Sequence, residues 1–133
     1  MTTWGEILEH VTLLRQDEAV RLDATRLETL VAQLGATGAE DVICRALEEL
    51  AARLSHTERC YREARSDDMR RSARSLIAIS DQIGMQKLAQ VAGDVTDCVD
   101  RGDRIALAAT LARLLRIGER SLGEMWDIQD LRI

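Results

Sequence analysis

Residues 69–95, MRRSARSLIAISDQIGMQKLAQVAGDV, decide the fold because two different stripes run along the first part of this stretch. One stripe is apolar or small and recurs every three or four residues, which predicts the buried side of an amphipathic helix over 67–82. Its members are Met69, Ala73, Leu76, Ser80 and Ile83. The opposite stripe consists of Arg74, Ile77, Ala78 and Asp81. The outer face of this helix is therefore predicted to carry a cation beside two apolar groups.

Helical patterns extend outward from this stretch in both directions. The sequence predicts a long helix over 38–65, a helix over 85–101 after Gly84, and a last long helix over 103–122 after the link DRGDR. Helices joined by such short links pack as antiparallel neighbours. We therefore expect an all-α fold, an antiparallel up-down-up-down four-helix bundle over 38–122.

Two shorter helices are expected in front of the bundle, within residues 3–34. The first covers 3–15, and the second begins after an N-cap at Asp23 and stops at Gly35. The triplet SDD at 66–68 is expected to cap the helix over 67–82. The tail at 123–133 has no assigned structure, and its apolar Trp126 either packs across the front helices or forms a dimer contact.

The predicted core follows from the same spacings. The inward positions of the helices from the second front helix onward are Leu27, Leu30, Val31, Leu34, Val42, Ile43, Ala46, Leu47, Leu50, Leu54, Thr57, Tyr61, Leu88, Val91, Ala92, Val95, Cys98, Val99, Ile105, Ala108, Leu111, Leu115 and Leu122. A chain of 133 residues is long enough to bury such a core as a single domain, residues 1–133.

Composition narrows the classes of function. Hydrophobic residues make up 46% and charged residues 31%, a balance typical of a folded soluble protein. The net charge of −5 disfavours nucleic acid as a partner, because such binding depends on neutralising phosphates. The sequence shows neither a long apolar run nor a leader pattern, so we expect neither a membrane protein nor a secreted one. Cys44, Cys60 and Cys98 are widely spaced and form no CxxC pair. We expect a cytoplasmic protein that needs no cofactor or metal.

From residue 21 to residue 122 the chain resembles the histidine-containing phosphotransfer (HPt) domain of two-component phosphorelays. The matching characters are Arg70, Arg71, Ala73, Leu76, Gly84, Leu88, Gly102 and Asp103. Gly84, Gly102 and Asp103 form the structural part of this motif. The resemblance implies a four-helix bundle whose partners are the receiver domain of a response regulator or a histidine kinase.

The functional positions of the family motif are changed in this sequence. The phosphorylatable histidine corresponds to Arg74, the lysine three residues later to Ile77, and the next glycine to Ala78. A guanidinium stays protonated and has no lone pair with which to attack phosphorus. We therefore expect a protein that is no longer an enzyme but keeps a partner-binding face, which is formed by Arg70, Arg71, Arg74, Ile77, Ala78 and Asp81.

Two other interpretations stay open at the level of sequence. The chain could be a working phosphotransferase with a relocated acceptor, His56 or His10. It could also be a helical dimerisation protein outside signalling, which would bury the stripe around Arg74 in a homodimer. The oligomeric state, monomer or homodimer, is not fixed by the sequence.

Overall fold

The computed structural model describes residues 23–130, with side chains as far as residue 126. This part of the chain folds into four helices, and it contains no strand. The helices are α1 (Ala24–Arg62), α2 (Ser66–Gln82), α3 (Gln86–Arg101) and α4 (Arg104–Asp130). The prediction of an all-helical protein is confirmed for these residues, while the predicted helix over 3–15 lies outside them.

Helix α1 combines two of the predicted helices. Asp23 is its N-cap, as predicted, and the Asp23 side chain accepts a hydrogen bond from the Arg26 backbone N–H. Gly35, the expected stop, has φ 75° and ψ 170°, so the backbone is kinked there. Helical structure resumes directly, and a separate connecting loop between the two predicted helices is absent.

Helix α2 runs back along α1. Near one end of the pair, the Asp23 N–H donates to the Gly84 carbonyl at 2.7 Å, just after α2. Further along, the Thr57 and Ser72 hydroxyls are buried and lie 2.7 Å apart. Since early residues of α1 meet the end of α2 and late ones meet its beginning, the two helices are antiparallel.

Helices α3 and α4 complete the packing. The Arg70 guanidinium near the start of α2 lies 3.0 Å from the Asp100 carboxylate near the end of α3. Helix α4 packs against α3 and also against α1, where Leu54 approaches Gly118 closely enough to occupy the space of a side chain. Consecutive helices and the first and last helix are thus in contact around one core. None of the helices in residues 23–130 has a stretch long and apolar enough to cross a membrane.

The glycines of the family motif serve the turns. Gly84, between α2 and α3, has φ 77°, and a Cβ there would lie 2.9 Å from the Asp23 carbonyl oxygen. Gly102 ends α3 in the left-handed conformation with φ 66°. The Asp103 carboxylate then accepts a hydrogen bond from the Ala106 backbone N–H at 3.0 Å and so caps α4. Turn geometry therefore explains the glycines at 84 and 102, and helix capping explains Asp103.

The buried stripe of α2 is confirmed. Met69, Ala73, Leu76, Ser80 and Ile83 are each at most 1% exposed. The predicted capping by SDD is wrong, since the N-cap is Arg65 and has no side-chain capping bond. Asp68 instead lies in the first turn and pairs with Arg65 and Arg71, so its carboxylate is taken up by guanidinium groups rather than backbone N–H groups.

The predicted inward face of α4 is partly wrong. Leu111 is buried as expected, but Ile105 is 87% exposed and Ala108 is exposed too. The buried register runs through Leu111, Leu114, Gly118, Ser121 and Met125. Gly118 carries no hydrophobic signal, although its missing side chain admits Leu54. The sequence pattern therefore gave the wrong phase at the start of this helix.

Three smaller corrections concern exposed residues and the tail. Tyr61 is 39% exposed, and the neighbouring Cys60 is fully buried in its place. Leu34, next to the kink at Gly35, is 48% exposed. The tail is helical as far as Asp130, because α4 does not end near residue 122. Trp126 is 40% exposed.

Candidate functional site

The outer face of α2 lies opposite the buried stripe and presents the predicted partner-binding residues. Arg74, Ala78 and Asp81 are exposed, and they follow one another at the three- and four-residue steps of a helix. The helix rises about 1.5 Å per residue, so the seven steps from Arg74 to Asp81 span about 10 Å. The face therefore has a cation and an anion separated by a small alanine side chain.

Ile77 contributes less to this surface than predicted. Its side chain is half-buried and packs against the hydrophobic core. The Ile77 Cδ1 atom lies 4.0 Å from the position that a Cβ would take at Gly93 of α3. Most of this isoleucine therefore joins α2 to α3, and only a part of it is available to a partner.

The three arginines of the face differ in their partners. Arg70 pairs with Asp100 of α3, and Arg71 pairs with Asp68 one turn earlier in α2. Arg74 makes no hydrogen bond or ion pair with any residue in the described range 23–130. Of the three arginines on this face, Arg74 is therefore the one whose positive charge is left for a partner.

A charge cluster lies at the beginning of α2. The Asp68 carboxylate accepts hydrogen bonds from Arg71 and Arg65, which lower the pKa of Asp68 below its ordinary value. The same bond to Asp68, followed by the one to Glu63, raises the pKa of Arg65. Opposite charges within hydrogen-bonding distance favour the charged form of each group. The cluster holds Arg65 and Arg71 beside Asp68 and leaves Arg74 outside it.

His56 was the first candidate for a relocated phosphoacceptor. Its Nδ1 lies 3.1 Å from an Arg59 guanidinium nitrogen, and its Nε2 lies 3.5 Å from the Cys60 sulfur. Since a guanidinium only donates, Nδ1 accepts that bond, and Nε2 carries the proton in the neutral ring. Both ring nitrogens are engaged, an arrangement that disfavours attack on a phosphoryl group. His10 lies outside the described residues.

The cysteines and acidic residues do not form a second site. Cys44 is half-buried, Cys60 and Cys98 are buried, and all three are free thiols. Within residues 23–130, no group of three or more histidine, cysteine, aspartate or glutamate side chains comes together as metal ligands would.

Comparison of the chain with protein-family models, with curated proteins and with solved structures finds no match. We therefore infer function from the chemistry of the α2 face and from the motif resemblance in the sequence.

Proposed function

We propose that this chain is an HPt-like protein of two-component phosphorelay signalling, with an up-down-up-down four-helix bundle, that acts in the cytoplasm by binding a receiver domain or a histidine kinase. The observation that carries the proposal is Arg74, exposed and without a partner among the described residues, at the position where HPt domains carry their reactive histidine. The protein binds its partner but does not accept phosphate from it.

The chemistry of Arg74 supports binding without transfer. Phosphoryl transfer needs a nucleophile with an available lone pair, and a guanidinium has only N–H donors. Those donors match carboxylates in a two-point arrangement. The resemblance implies a receiver domain with an acidic pocket around its phosphorylated aspartate. Arg74 is thus suited to pair with the carboxylates of that pocket and to block it.

The surroundings of Arg74 fit the same role. Ala78, one turn further along α2, is exposed and small, so a partner can approach the helix backbone closely. Arg70 and Arg71 are already neutralised by Asp100 and Asp68. A partner therefore meets one free cation at the centre of the face, which favours a single acidic pocket over a broad acidic surface.

The direct test is a binding measurement with purified receiver domains and kinase domains of the same organism, using wild type, Arg74→Ala and Arg113→Ala. Arg113 is also exposed and lies on α4, so its loss changes the net charge equally at another surface. We expect one receiver or kinase to bind wild type and Arg113→Ala equally. Arg74→Ala should weaken that binding by about tenfold or more, as for a charge-assisted hydrogen bond.

A second measurement concerns phosphate. Incubation with the phosphorylated receiver should leave no acid-labile phosphate on the chain. Recovery of phosphohistidine on wild type, and its loss in His56→Gln or His10→Gln, would overturn the proposal in favour of a relocated acceptor. A stable homodimer that buries Arg74 and binds no receiver or kinase would instead favour the dimerisation protein.

A further inference from the structure

A cavity of about 590 Å³ lies at the end of the bundle where α1 and α3 finish and α2 and α4 begin. This volume is within the range of about 300–1,000 Å³ that is typical of small-molecule sites in proteins. None of the six residues of the predicted partner-binding face lines this cavity. It is therefore a separate feature from the α2 face.

The inner wall of the cavity is apolar. Met69 is 1% exposed and contributes from α2, and Val99 and Leu107 contribute from α3 and α4. The thiols of Cys60 and Cys98 lie among them, and a buried thiol behaves as a small apolar group. Transfer of an apolar ligand group from water into this space would favour binding.

The charged groups at the mouth are not equivalent. Arg65 is committed to Glu63 and Asp68, and the Asp103 carboxylate accepts from a backbone N–H of α4. Arg104 has no hydrogen-bond or ion-pair partner in the described part of the chain. Of the two guanidinium groups at the mouth, Arg104 is therefore the one that is available to a ligand, and it favours an anion.

The backbone at the mouth favours the same sign of charge. Helix α2 begins there, its N-cap residue Arg65 makes no side-chain capping bond, and Asp67 and Asp68 lie in its first turn. Unpaired N–H groups at a helix N-terminus attract anions. The chain enters α2 through Ala64, whose φ of 55° is unusual for a residue with a side chain. These features reinforce the argument from the apolar wall and Arg104.

We propose that this cavity binds a small organic carboxylate, with its hydrocarbon body against the half-buried Val99 and Leu107 and its carboxylate at Arg104. The apolar wall accounts for the hydrocarbon body and the free guanidinium accounts for the carboxylate. The proposal does not depend on the phosphorelay role, because the cavity and the α2 face share none of the residues named for either.

The test uses octanoate as a probe, titrated into the full ¹⁵N-labelled chain and followed by NMR. We expect saturable shifts of the backbone amides at Ala64, Ser66 and Gly102, which surround the mouth. Arg104→Gln should weaken octanoate binding by about tenfold, and the matched variant Arg113→Gln should leave it unchanged. Octan-1-ol, which lacks the charge, should bind wild type and Arg104→Gln equally.

A second variant tests the cavity itself. Leu107→Trp places a larger side chain in the wall and should abolish the saturable shifts, while the rest of the spectrum stays that of the folded protein. The proposal is overturned if octanoate causes no saturable shift at these amides, or if Arg104→Gln binds octanoate as tightly as wild type does. Neither result would affect the expected role of Arg74.

Discussion

The two ends of the bundle are held together in different ways. At the end formed by Asp23, Arg26, Gln82 and Gly84, here the closed end, the backbones of α1 and of the α2–α3 turn are in direct contact. The Asp23 N–H donates to the Gly84 carbonyl at 2.7 Å, and the Arg26 Nε–H donates to the Gln82 carbonyl at 2.9 Å. This end therefore has little room for a side chain or ligand.

The opposite end, here the open end, contains the cavity beside Met69 and Leu107 and the charge cluster of Arg65 and Asp68. Both ends need a glycine with positive φ in the turn, Gly84 at the closed end and Gly102 at the open end. The same backbone requirement therefore has two consequences. At one end it permits close packing, and at the other it only lets the chain reverse direction.

The comparison also separates the structural from the functional part of the HPt resemblance. Gly84, Gly102 and Asp103 are explained by turn and capping geometry, so these matches follow from the links between the helices. The position of Arg74 makes no such contribution to the fold, since its side chain is exposed and without a partner in the described residues. The proposed function therefore depends on Arg74 more than on any of the matching characters.

The largest expected effect is that of Gly84→Ala at the closed end. An alanine at this position must keep a positive φ, which costs about 1–2 kcal/mol. Its Cβ would also lie 2.9 Å from the Asp23 carbonyl oxygen. The shifts of neighbouring atoms that make room for the added Cβ typically cost a similar amount again. We therefore expect the free energy of unfolding to fall by about 3 kcal/mol. Urea denaturation followed by circular dichroism measures this loss.

Gly102→Ala at the open end is the matched change and should have a smaller effect. Its φ of 66° imposes the same backbone strain, but nothing lies within 4 Å of the added Cβ. We expect a loss of about 1 kcal/mol in the same urea measurement. Equal losses for the two alanine variants would contradict the claim that close packing distinguishes the closed end.

Arg26→Gln tests the side-chain part of the closed end. The variant removes the exposed hydrogen bond from Arg26 to the Gln82 carbonyl, and a single such bond contributes about 1 kcal/mol or less. We expect a loss of that size in the free energy of unfolding, with no change in the binding of a receiver or kinase. Arg113→Gln, on an exposed part of α4, should change stability by no more than about 0.5 kcal/mol. Identical stabilities of the two variants would show that this bond does not hold the closed end.

Parts of this structure were predictable from the sequence and parts were not. Helix α2 was predictable because its apolar positions alternate with polar ones at a regular step, and because Gly84 marks its end. The phase of α4 was not, since its core register passes through Gly118 and Ser121, which have no hydrophobic signal. Ala108 was predicted to be a core position because it lies three residues from both Ile105 and Leu111, but it is exposed.

The candidate site shows the same division. The exposure of Arg74 followed from helical periodicity alone. The sequence did not reveal that Arg70 has a partner, because this partner, Asp100, is on a different helix. The cavity at the open end was missed as well, since its lining comes from the ends of all four described helices and has no common motif.

The smallest expected effect concerns the charge cluster at the open end. The pKa of Asp68 is lowered first by Arg71 and then by Arg65. A carboxyl group with a lowered pKa stabilises the folded state above its unfolded pKa of about 3.9, and this contribution is lost as the pH falls through the folded pKa. We therefore expect the cluster to stabilise the protein at neutral pH and to stop doing so only in acid.

The measurement is an NMR titration of the Asp68 side-chain carboxyl in wild type, Arg71→Gln, Arg65→Gln and Arg113→Gln. The pKa of Asp68 should rise toward its ordinary value in Arg71→Gln, and less so in Arg65→Gln, because Arg71 makes the larger contribution. Arg113→Gln removes the same charge from α4 and should leave this pKa as it is in wild type. If Arg71→Gln has no effect on the Asp68 titration, charge pairing does not organise the open end, and the argument that Arg71 is already committed, leaving Arg74 as the free cation, fails with it.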